Sequence, residues 1–457
     1  MTATRPSTEP AVLAASRGVF VVFVLNGLNF ASWASRLPAV RDELSLSAAA
    51  IGVLLLIGSI GSLVALPLSG LVVQRLGASR TVVAFALANV AGLLVAAVGV
   101  TMGEVLVVGA GLVLFGVGTG VWDAAMILEG ALVEQRLGRT VMPRYHAGFS
   151  VGTMAGAGIG ALAAALHASV LAHLVVVLGL SLAGVLGAVR AFLPVGHGGH
   201  APAADGTPAA SAAHDSTAHD PGAAGTGARR AFGAWLEPRT LLVGLVVLAA
   251  ALTEGAANDW VGLAVVDGFD QSHAVGALTF GLFVTAMTAM RFVGTHLLDR
   301  YGRITVLRLC GGLSIVGLLI FGLVPWLPLA LVGVVLWGLG AALGFPVGMS
   351  AASDDPVRAP ARVSVVSTIG YSAFLAGPPL LGLLAEVVGY RQALLAIAVP
   401  VVLGLLVVQA AAPLAGTRPT QPTTEPGNRP RTEPGSRPAT EPAGEPAARP
   451  EPADRPA

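Results

Sequence analysis

The stretch GAGLVLFGVGTGVWD, residues 109–123, returns as LVGVVLWGLGAALGF at residues 331–345, an offset of 222 (331 − 109). A second match supports this internal repeat. Arg75 in QRLG and Arg300 in DRYG each end a long apolar run, and they are 225 residues apart (300 − 75). Self-similarity over half of a strongly apolar chain is typical of membrane proteins built from two parallel repeats. The chain is therefore expected to consist of two similar halves.

The composition is that of a polytopic membrane protein. Mean hydropathy is +0.78, and 11% of the residues are charged, whereas soluble domains carry about 25% charged residues. A membrane helix needs about 20 mostly apolar residues, and each half contains six such continuous runs, unlike the alternating strands of an outer-membrane barrel. These runs predict an all-α fold with twelve membrane-spanning helices in two six-helix halves. They start near Gly18, Ala49, Thr81, Glu104, Tyr145, Ala168, Arg239, Ala274, Ile304, Leu327, Val363 and Tyr390.

The placement of arginine predicts the orientation. Residues 1–17 are polar and lack a signal-peptide pattern, so we expect the first span to stay uncleaved. By the positive-inside rule both termini are then cytoplasmic in a bacterial inner (plasma) membrane. The inner loops carry Arg75, Arg80, Arg136, Arg139, Arg144, Arg190, Arg229, Arg230, Arg239, Arg300, Arg303, Arg308, Arg358 and Arg362, and the outer side carries Arg36, Arg41 and Arg391. The net charge of +1 favours no nucleic-acid partner.

Two segments have the composition of unfolded chain. One is rich in Ala, Gly, Pro, His and Asp, and the other repeats TEPGNRP as TEPGSRP. Histidines in the first leave loose metal binding open beside a plain linker, but their spacing fits no fixed-geometry site, and the lone Cys310 excludes disulfides. We expect no resident metal or cofactor. The predicted regions are a cytoplasmic tail (1–17), a six-helix bundle (18–193), a disordered cytoplasmic linker (194–238), a second bundle (239–412) and a Pro-rich cytoplasmic tail (413–457).

Polar side chains on the first predicted span share one face. Asn26, Asn29 and Trp33 follow at i, i+3 and i+7. A polar group at bilayer depth costs about 2.5–3.5 kcal/mol on insertion scales, so it needs a partner, a cavity or a role. We predict that this face binds a polar ligand. Hydrogen bonding between helices is the alternative.

The fourth span contributes Trp122 and Asp123, and the fifth begins near His146. Desolvation disfavours the charged form of a buried carboxyl, which allows it to exchange protons near neutral pH. Asp123 is the predicted proton-binding residue, with His146 as a candidate relay. The alternatives are an ion pair between Asp123 and an arginine, and a helix-end histidine without such a role.

The second half offers a matching set. Glu254 and Asn258 share a face of the seventh span, and Arg291 lies about two turns into the eighth, deep enough to bind an anionic group. Snorkelling of Arg291 to the inner face is the alternative. Glu254 is also a candidate for proton coupling, and the aromatic residues Phe345 and Tyr371 complete the predicted substrate site.

Over residues 18–412 the chain resembles the major facilitator superfamily. Two loops, GLVVQRLGASR from Gly70 and DRYGR from Asp299, are similar to the inner-loop motif of that family, whose acid and arginines latch the halves in one conformation. The first copy has a glutamine where the motif has an acid. By this resemblance the gating residues are Gln74, Arg75, Arg80, Asp299, Arg300 and Arg303.

Within the superfamily the chain resembles the branch around the bacterial fucose–proton permease. GTGVWDAA, residues 118–125, is similar to that branch's fourth-helix pattern, with Asp123 in place of a glutamate, and RFVGT from Arg291 is similar to its eighth-helix segment. The branch's first-helix aspartate falls on Phe30. The resemblance implies alternating access to a central site, without implying the sugar.

We expect a secondary active transporter of a small polar solute, such as a sugar or related metabolite, coupled to protons and working as a monomer in the lipid bilayer. No nucleotide-binding loop and no nucleophile–base set stands out, so an enzyme is not expected. Drug–proton export is the first alternative, although the fifth span has Gly156-Ala157-Gly158 where exporters commonly carry Gly-Pro. A transporter-derived sensor whose Pro-rich tail binds a partner is the second.

The orientation is testable by fusion. A reporter that is active only in the periplasm, fused after Ala457, should stay silent, because the inverted topology would place the arginine excess outside. A cytoplasmic reporter at the same position serves as the control. A strong periplasmic signal would contradict the orientation.

Overall fold

The structure is a computed structural model that describes residues 10–139, 141–193, 233–355 and 358–414. Most of the predicted linker and C-terminal tail, and the start of the N-terminal tail, lie outside these residues. The first half forms α1 (Pro10–Ala34), α2 (Leu37–Glu43), α3 (Ala48–Leu76), α4 (Ala78–Met102), α5 (Val105–Leu137), α6 (Met142–Ala165) and α7 (Val170–Ala188). The second half forms α8 (Pro238–Gly268), α9 (His273–Tyr301), α10 (Arg303–Leu323), α11 (Leu327–Ala341), α12 (Gly344–Ala352), α13 (Ala359–Val388), α14 (Tyr390–Ala393) and α15 (Ala398–Leu406).

Eleven segments of the described chain are long and apolar enough to cross a membrane. The twelfth predicted span is the shorter apolar stretch Tyr390–Leu406, in which a 3₁₀ segment, Leu394–Ile397, separates α14 from α15. The predicted all-α polytopic fold is confirmed. The bounds given above for the two bundles, the linker and the tails remain predictions.

The two halves repeat one packing pattern. In the first half α1 packs on α6 and α7, and α5 packs on α3 and α4. In the second half α8 packs on α13 and α15, and α11 packs on α9 and α10. These are corresponding helices, so the internal repeat in the sequence reappears as a repeat of helix contacts.

Bare backbone allows α1 and α6 to approach closely. A Cβ built on Gly152 would overlap the carbonyl oxygen of Val24, and one on Gly156 would lie 2.7 Å from that of Leu28. Small residues on one helix face are the usual device for tight packing in membranes. This packing fixes the height of the α1 polar face relative to α6.

The halves meet through α3 against α13 and α6 against α9. We call the end with residues 35–47 and 268–272 the outer end and that with residues 138–141 and 302 the inner end, after the predicted topology. At the outer end the backbones nearly touch: a Cβ on Gly52 would lie 2.5 Å from the Pro378 oxygen. Likewise, one on Gly382 would lie 2.6 Å from the Ala48 oxygen.

The inner end is open. Among the described residues, the hydrogen bonds and ion pairs that join the halves lie at the outer end: Arg41–Asp267, Asp42–His273 and Ala49–Glu386. Toward the inner end of α3, Leu68 is 56% exposed and a Cβ on Gly70 would meet nothing within 4 Å. The structure is thus closed outside and open inside.

Replacing Gly52 by leucine should hold the outer ends apart, because the new side chain has no room against Pro378. The measurement is alkylation of a cysteine at Gly262, where a Cβ meets nothing closer than 3.6 Å, in a Cys310→Ser background. Alkylation from outside should accelerate severalfold in Gly52→Leu and stay unchanged in the control Gly70→Leu. Equal rates in a folded Gly52→Leu protein would refute the close contact.

Candidate functional site

A hydrogen bond joins α1 to α5 about midway along both helices. Asn26 Nδ2 donates to Asp123 Oδ1 at 2.7 Å and makes a weaker contact with Met126 Sδ at 3.8 Å. Asn26 is buried, 1% exposed, whereas Asp123 is half-buried. The amide therefore holds one oxygen of the Asp123 carboxyl group in place.

The rest of the α1 polar face turns inward to the protein. Asn29 Nδ2 donates to Asn89 Oδ1 at 3.0 Å, and Asn89 Nδ2 donates to Thr119 Oγ1 at 2.9 Å. Asn29 is fully buried, and Trp33 and Trp122 are buried in the core. These contacts match the alternative of hydrogen bonding between helices. Ligand binding by Asn29, Trp33 and Trp122 stays a prediction. The sequence analysis missed Asn89, an amide within an apolar span, and Thr119.

The second half contributes an ion pair. Arg291 Nη2 lies 2.9 Å from Glu254 Oε2, and its Nε donates to the Ala342 oxygen at 3.3 Å. The side chains are 35% and 22% exposed, so both remain accessible to water within membrane-length helices. Arg291 thus pairs with Glu254, while the partner of Asp123 is Asn26.

The two sets face each other between the halves. Arg291 interacts electrostatically with His146 of α6, and Asp123 with Tyr371 of α13. The space bounded by Asp123, His146, Glu254, Arg291 and Tyr371 is called the central gap below. No hydrogen bond among the described residues joins His146 to Asp123, and the His146 ring instead meets Phe23 edge-on at 5.2 Å.

Aromatic rings pack beside Tyr371, and another pair joins α1 to α6. Tyr371 lies between Phe345 and Phe374, with ring centroids 6.1 and 6.4 Å away, and Phe30 lies 6.4 Å from Phe149. Phe345, Phe149 and Phe30 are half-buried. Phe149 and Phe374 carried no distinguishing signal in the sequence, and Phe30 was noted only as the position on which the branch's first-helix aspartate falls.

The remaining predicted ligand contact is Asn258. It is half-buried and lies one helical turn after Glu254 on α8. Residues four apart share a helix face, so the backbone places Asn258 on the face that carries Glu254. Its binding role stays a prediction.

The inner-loop residues form contacts within their own halves. Arg303 Nη1 lies 3.0 Å from Asp354 Oδ2, which Arg239 Nη2 also meets at 2.8 Å. The other predicted gating residues are exposed and make no bond to the opposite half among the described residues: Gln74, Arg75, Arg80, Asp299 and Arg300. A latch between the halves is therefore not formed in this inward-open structure, and the gating role stays a prediction.

A second inner cluster joins the start of α8 to α13. Glu237 Oε2 accepts a hydrogen bond from Arg362 Nε at 2.6 Å and one from Thr240 Oγ1 at 3.0 Å. Burial opposes ionisation, but these hydrogen bonds and the positive charges of Arg362 and Arg358 outweigh it and lower the pKa of Glu237. The carboxylate is thus a stable anchor for two arginines.

Comparisons with known proteins agree with this architecture. The Major Facilitator Superfamily profile matches residues 19–371 and 244–450. The chain is 33% identical over 399 residues to the uncharacterized transporter y4wD of Sinorhizobium fredii (strain NBRC 101917 / NGR234), covering 84% of this chain and 97% of that protein. The chain belongs to the Major Facilitator Superfamily. It is a multi-pass membrane transporter and not an enzyme.

Solved structures share the fold at low identity. The nucleoside transporter NupG aligns with a TM-score of 0.63 at 16% identity, covering 88% of this chain and 99% of its own. The E. coli fucose:proton symporter FucP aligns with a TM-score of 0.57 at 14% identity, covering 88% and 98%. The predicted resemblance to the superfamily and to the fucose permease branch is confirmed.

Neutralising one member of the Arg291–Glu254 pair should destabilise the protein, because the remaining charge loses its partner while still partly buried. We expect Arg291→Gln and Glu254→Gln each to lower the free energy of unfolding by about 1–2 kcal/mol, less than for a fully buried pair since both side chains reach water. The double variant should recover part of that loss. Thermal unfolding of the three purified variants measures this, and additive losses would show that the two residues do not interact.

Proposed function

We propose that this protein is a secondary active transporter that moves a small polar solute, a sugar or related metabolite, together with protons across the bacterial inner membrane. Both termini lie in the cytoplasm in this proposal. The observation that carries it is the Asn26–Asp123 hydrogen bond, which presents a half-buried carboxyl to the central gap opposite the Arg291–Glu254 pair. Because the gap is closed at the outer end and open at the inner end, alternating access to it requires the halves to exchange these states.

The chemistry of the central gap suits a polar ring. Carboxyl, guanidinium and imidazole groups offer donors and acceptors for hydroxyls, and the aromatic side chains Tyr371, Phe345 and Phe149 offer flat apolar surface. Binding sites for small molecules commonly combine such apolar walls with a few convergent polar groups. The structural neighbours include a nucleoside transporter and a fucose:proton symporter, which supports this class of solute.

Asp123 is the proposed proton carrier. A carboxylate enclosed during the transition between states loses hydration, and a bound proton removes the charge that needs it. The Asn26 N–H can donate to Asp123 in either protonation state, because a protonated carboxyl group keeps an oxygen that accepts. Coupling follows if Asp123 must be protonated before the loaded halves close.

Replacing Asp123 by asparagine should abolish uptake driven by a proton gradient, while exchange of labelled for unlabelled solute across proteoliposomes continues. Asparagine keeps the size and hydrogen bonding of aspartate but does not titrate. The solute comes from a thermal-shift screen of the purified protein against sugars, nucleosides, amino acids and drugs, since a ligand stabilises the protein it binds. Stabilisation by drugs alone would favour export instead.

The matched control is Glu129→Gln. Glu129 lies on the same helix, is 4% exposed, and accepts a hydrogen bond from the Leu193 backbone N–H at 2.9 Å, which a glutamine oxygen also accepts. Gradient-driven uptake should persist in this control. Normal gradient-driven uptake by a folded Asp123→Asn protein would remove Asp123 as the coupling residue and shift that role to Glu254.

A further inference from the structure

Two of the side-chain contacts that join the halves at the outer end start from neighbouring residues of α2. Asp42 Oδ2, on α2 of the first half, lies 2.8 Å from Nε2 of His273, the first residue of α9 in the second half. Arg41 Nη1, beside Asp42, lies 2.7 Å from Asp267 Oδ1 of α8. We call these four residues the outer latch. One of its two contacts is made by an imidazole, which is charged only when protonated, and the other is made by a guanidinium.

The two carboxylate oxygens of Asp42 contact different residues, Arg41 and His273. Arg41 Nη2 and Nε meet Asp42 Oδ1 at 2.6 and 2.7 Å, so Oδ2 remains for His273. The Arg41 guanidinium also lies 5.5 Å from the ring centre of Tyr390 in the second half. Asp42 is thus held in place from within its own half, and His273 supplies its bond to the other half.

The latch is open to the outer solution. The side chains of Asp42, His273 and Asp267 are 43%, 34% and 50% exposed, and they border a cavity of about 470 Å³. The other titratable groups on its walls are His167, at the end of α6, and Asp270, before α9. Protons reach His273 from the outside without passing the central gap.

Closure changes the surroundings of His273. At the first residue of α9 the helix dipole disfavours a cation, and no carboxylate other than Asp42 is bonded to this imidazole among the described residues. Opening of the outer end removes Asp42, because Asp42 belongs to the first half. Protonated His273 is therefore stabilised in the closed state and left at an unfavourable helix end in the open one.

We propose that His273 and Asp42 form a proton-operated latch, by which an acidic outside medium favours the outer-closed state independently of Asp123. The inference rests on the proposed alternating-access function. The sign follows from linkage: the contact with Asp42 is an ion pair only when the imidazole carries a proton, and it exists only when the outer end is closed, so acidification shifts the equilibrium toward closure. For solvent-exposed ion pairs the shift in the closed-to-open ratio is about fivefold at most.

The experiment measures the distance between spin labels at Met102 and Trp326. These residues are 63% and 64% exposed, lie at the outer end in opposite halves, and are not part of the latch. The full chain carries both cysteines and Cys310→Ser, sits in lipid nanodiscs, and has Asp123→Asn so that the central carboxyl does not titrate. Distance distributions are recorded at about pH 5.5 and about pH 8, on either side of the ordinary titration of histidine.

We expect the short, closed distance to gain population severalfold at the lower pH, and His273→Gln to abolish that gain. His167→Gln, which alters the other histidine of the same cavity, should respond like the parent. Asp267→Asn should favour the open distance at both pH values, because it weakens the Arg41–Asp267 contact, which contains no histidine.

The outcomes separate the two proposals. Two distances whose relative populations do not change with pH would overturn the latch and leave alternating access intact. A pH response that persists in His273→Gln would do the same. A single distance under every condition, with and without the transported solute, would overturn alternating access itself. A response lost in His167→Gln and kept in His273→Gln would also overturn the latch, since His167 would then carry the effect.

Discussion

A polar side chain inside a helical bundle in a membrane must find its partner within the protein or in enclosed water, because lipid offers none. This constraint sorts the polar residues of this chain into two sets. Asn29, Asn89 and Thr119 form a chain of hydrogen bonds across three helices. Asp123 and Arg291 are only partly enclosed, although each has a partner. These partly exposed, paired groups are the ones that border the central gap.

The same constraint explains how the two ends of the molecule differ. At the outer end the halves make backbone contacts so close that only glycine fits at residues 52 and 382. At the inner end Arg303 and Arg239 instead bind Asp354 and carbonyl groups of their own half. A transporter that must separate one end and join the other needs such contacts to be exchangeable. Because these arginines have their partners within their own half, the inner ends can separate without leaving those charges unpaired.

Much of the fold followed from the sequence because composition and repetition report directly on it. Continuous apolar runs and the 222-residue offset predicted the helices and the two halves. The break in the last span was missed, because Tyr390–Leu406 is as apolar as the other spans and its 3₁₀ segment has no marker in the sequence. The site was predictable only in part. Charged residues in apolar spans stand out, so Asp123, Glu254 and Arg291 were identified, but which of them pair depends on helix packing that one sequence does not reveal. Aromatic residues such as Phe149 gave no signal, since they are common in any membrane helix.

Repetition of the fold did not impose repetition of the chemistry, except where the fold itself required it. Glu129 and Asp354 are 225 residues apart (354 − 129), the offset that also separates Arg75 from Arg300. Both acids secure the end of the last span of their half: Glu129 through the Leu193 N–H, and Asp354 through arginines that bind carbonyl groups at residues 410–412. The central gap, in contrast, receives an amide–carboxyl pair from one half and an arginine–glutamate pair from the other. A site with unlike walls can bind an asymmetric solute in one orientation. The two halves therefore differ in the side chains that face the solute, and they remain alike in the side chains that secure the ends of the bundles.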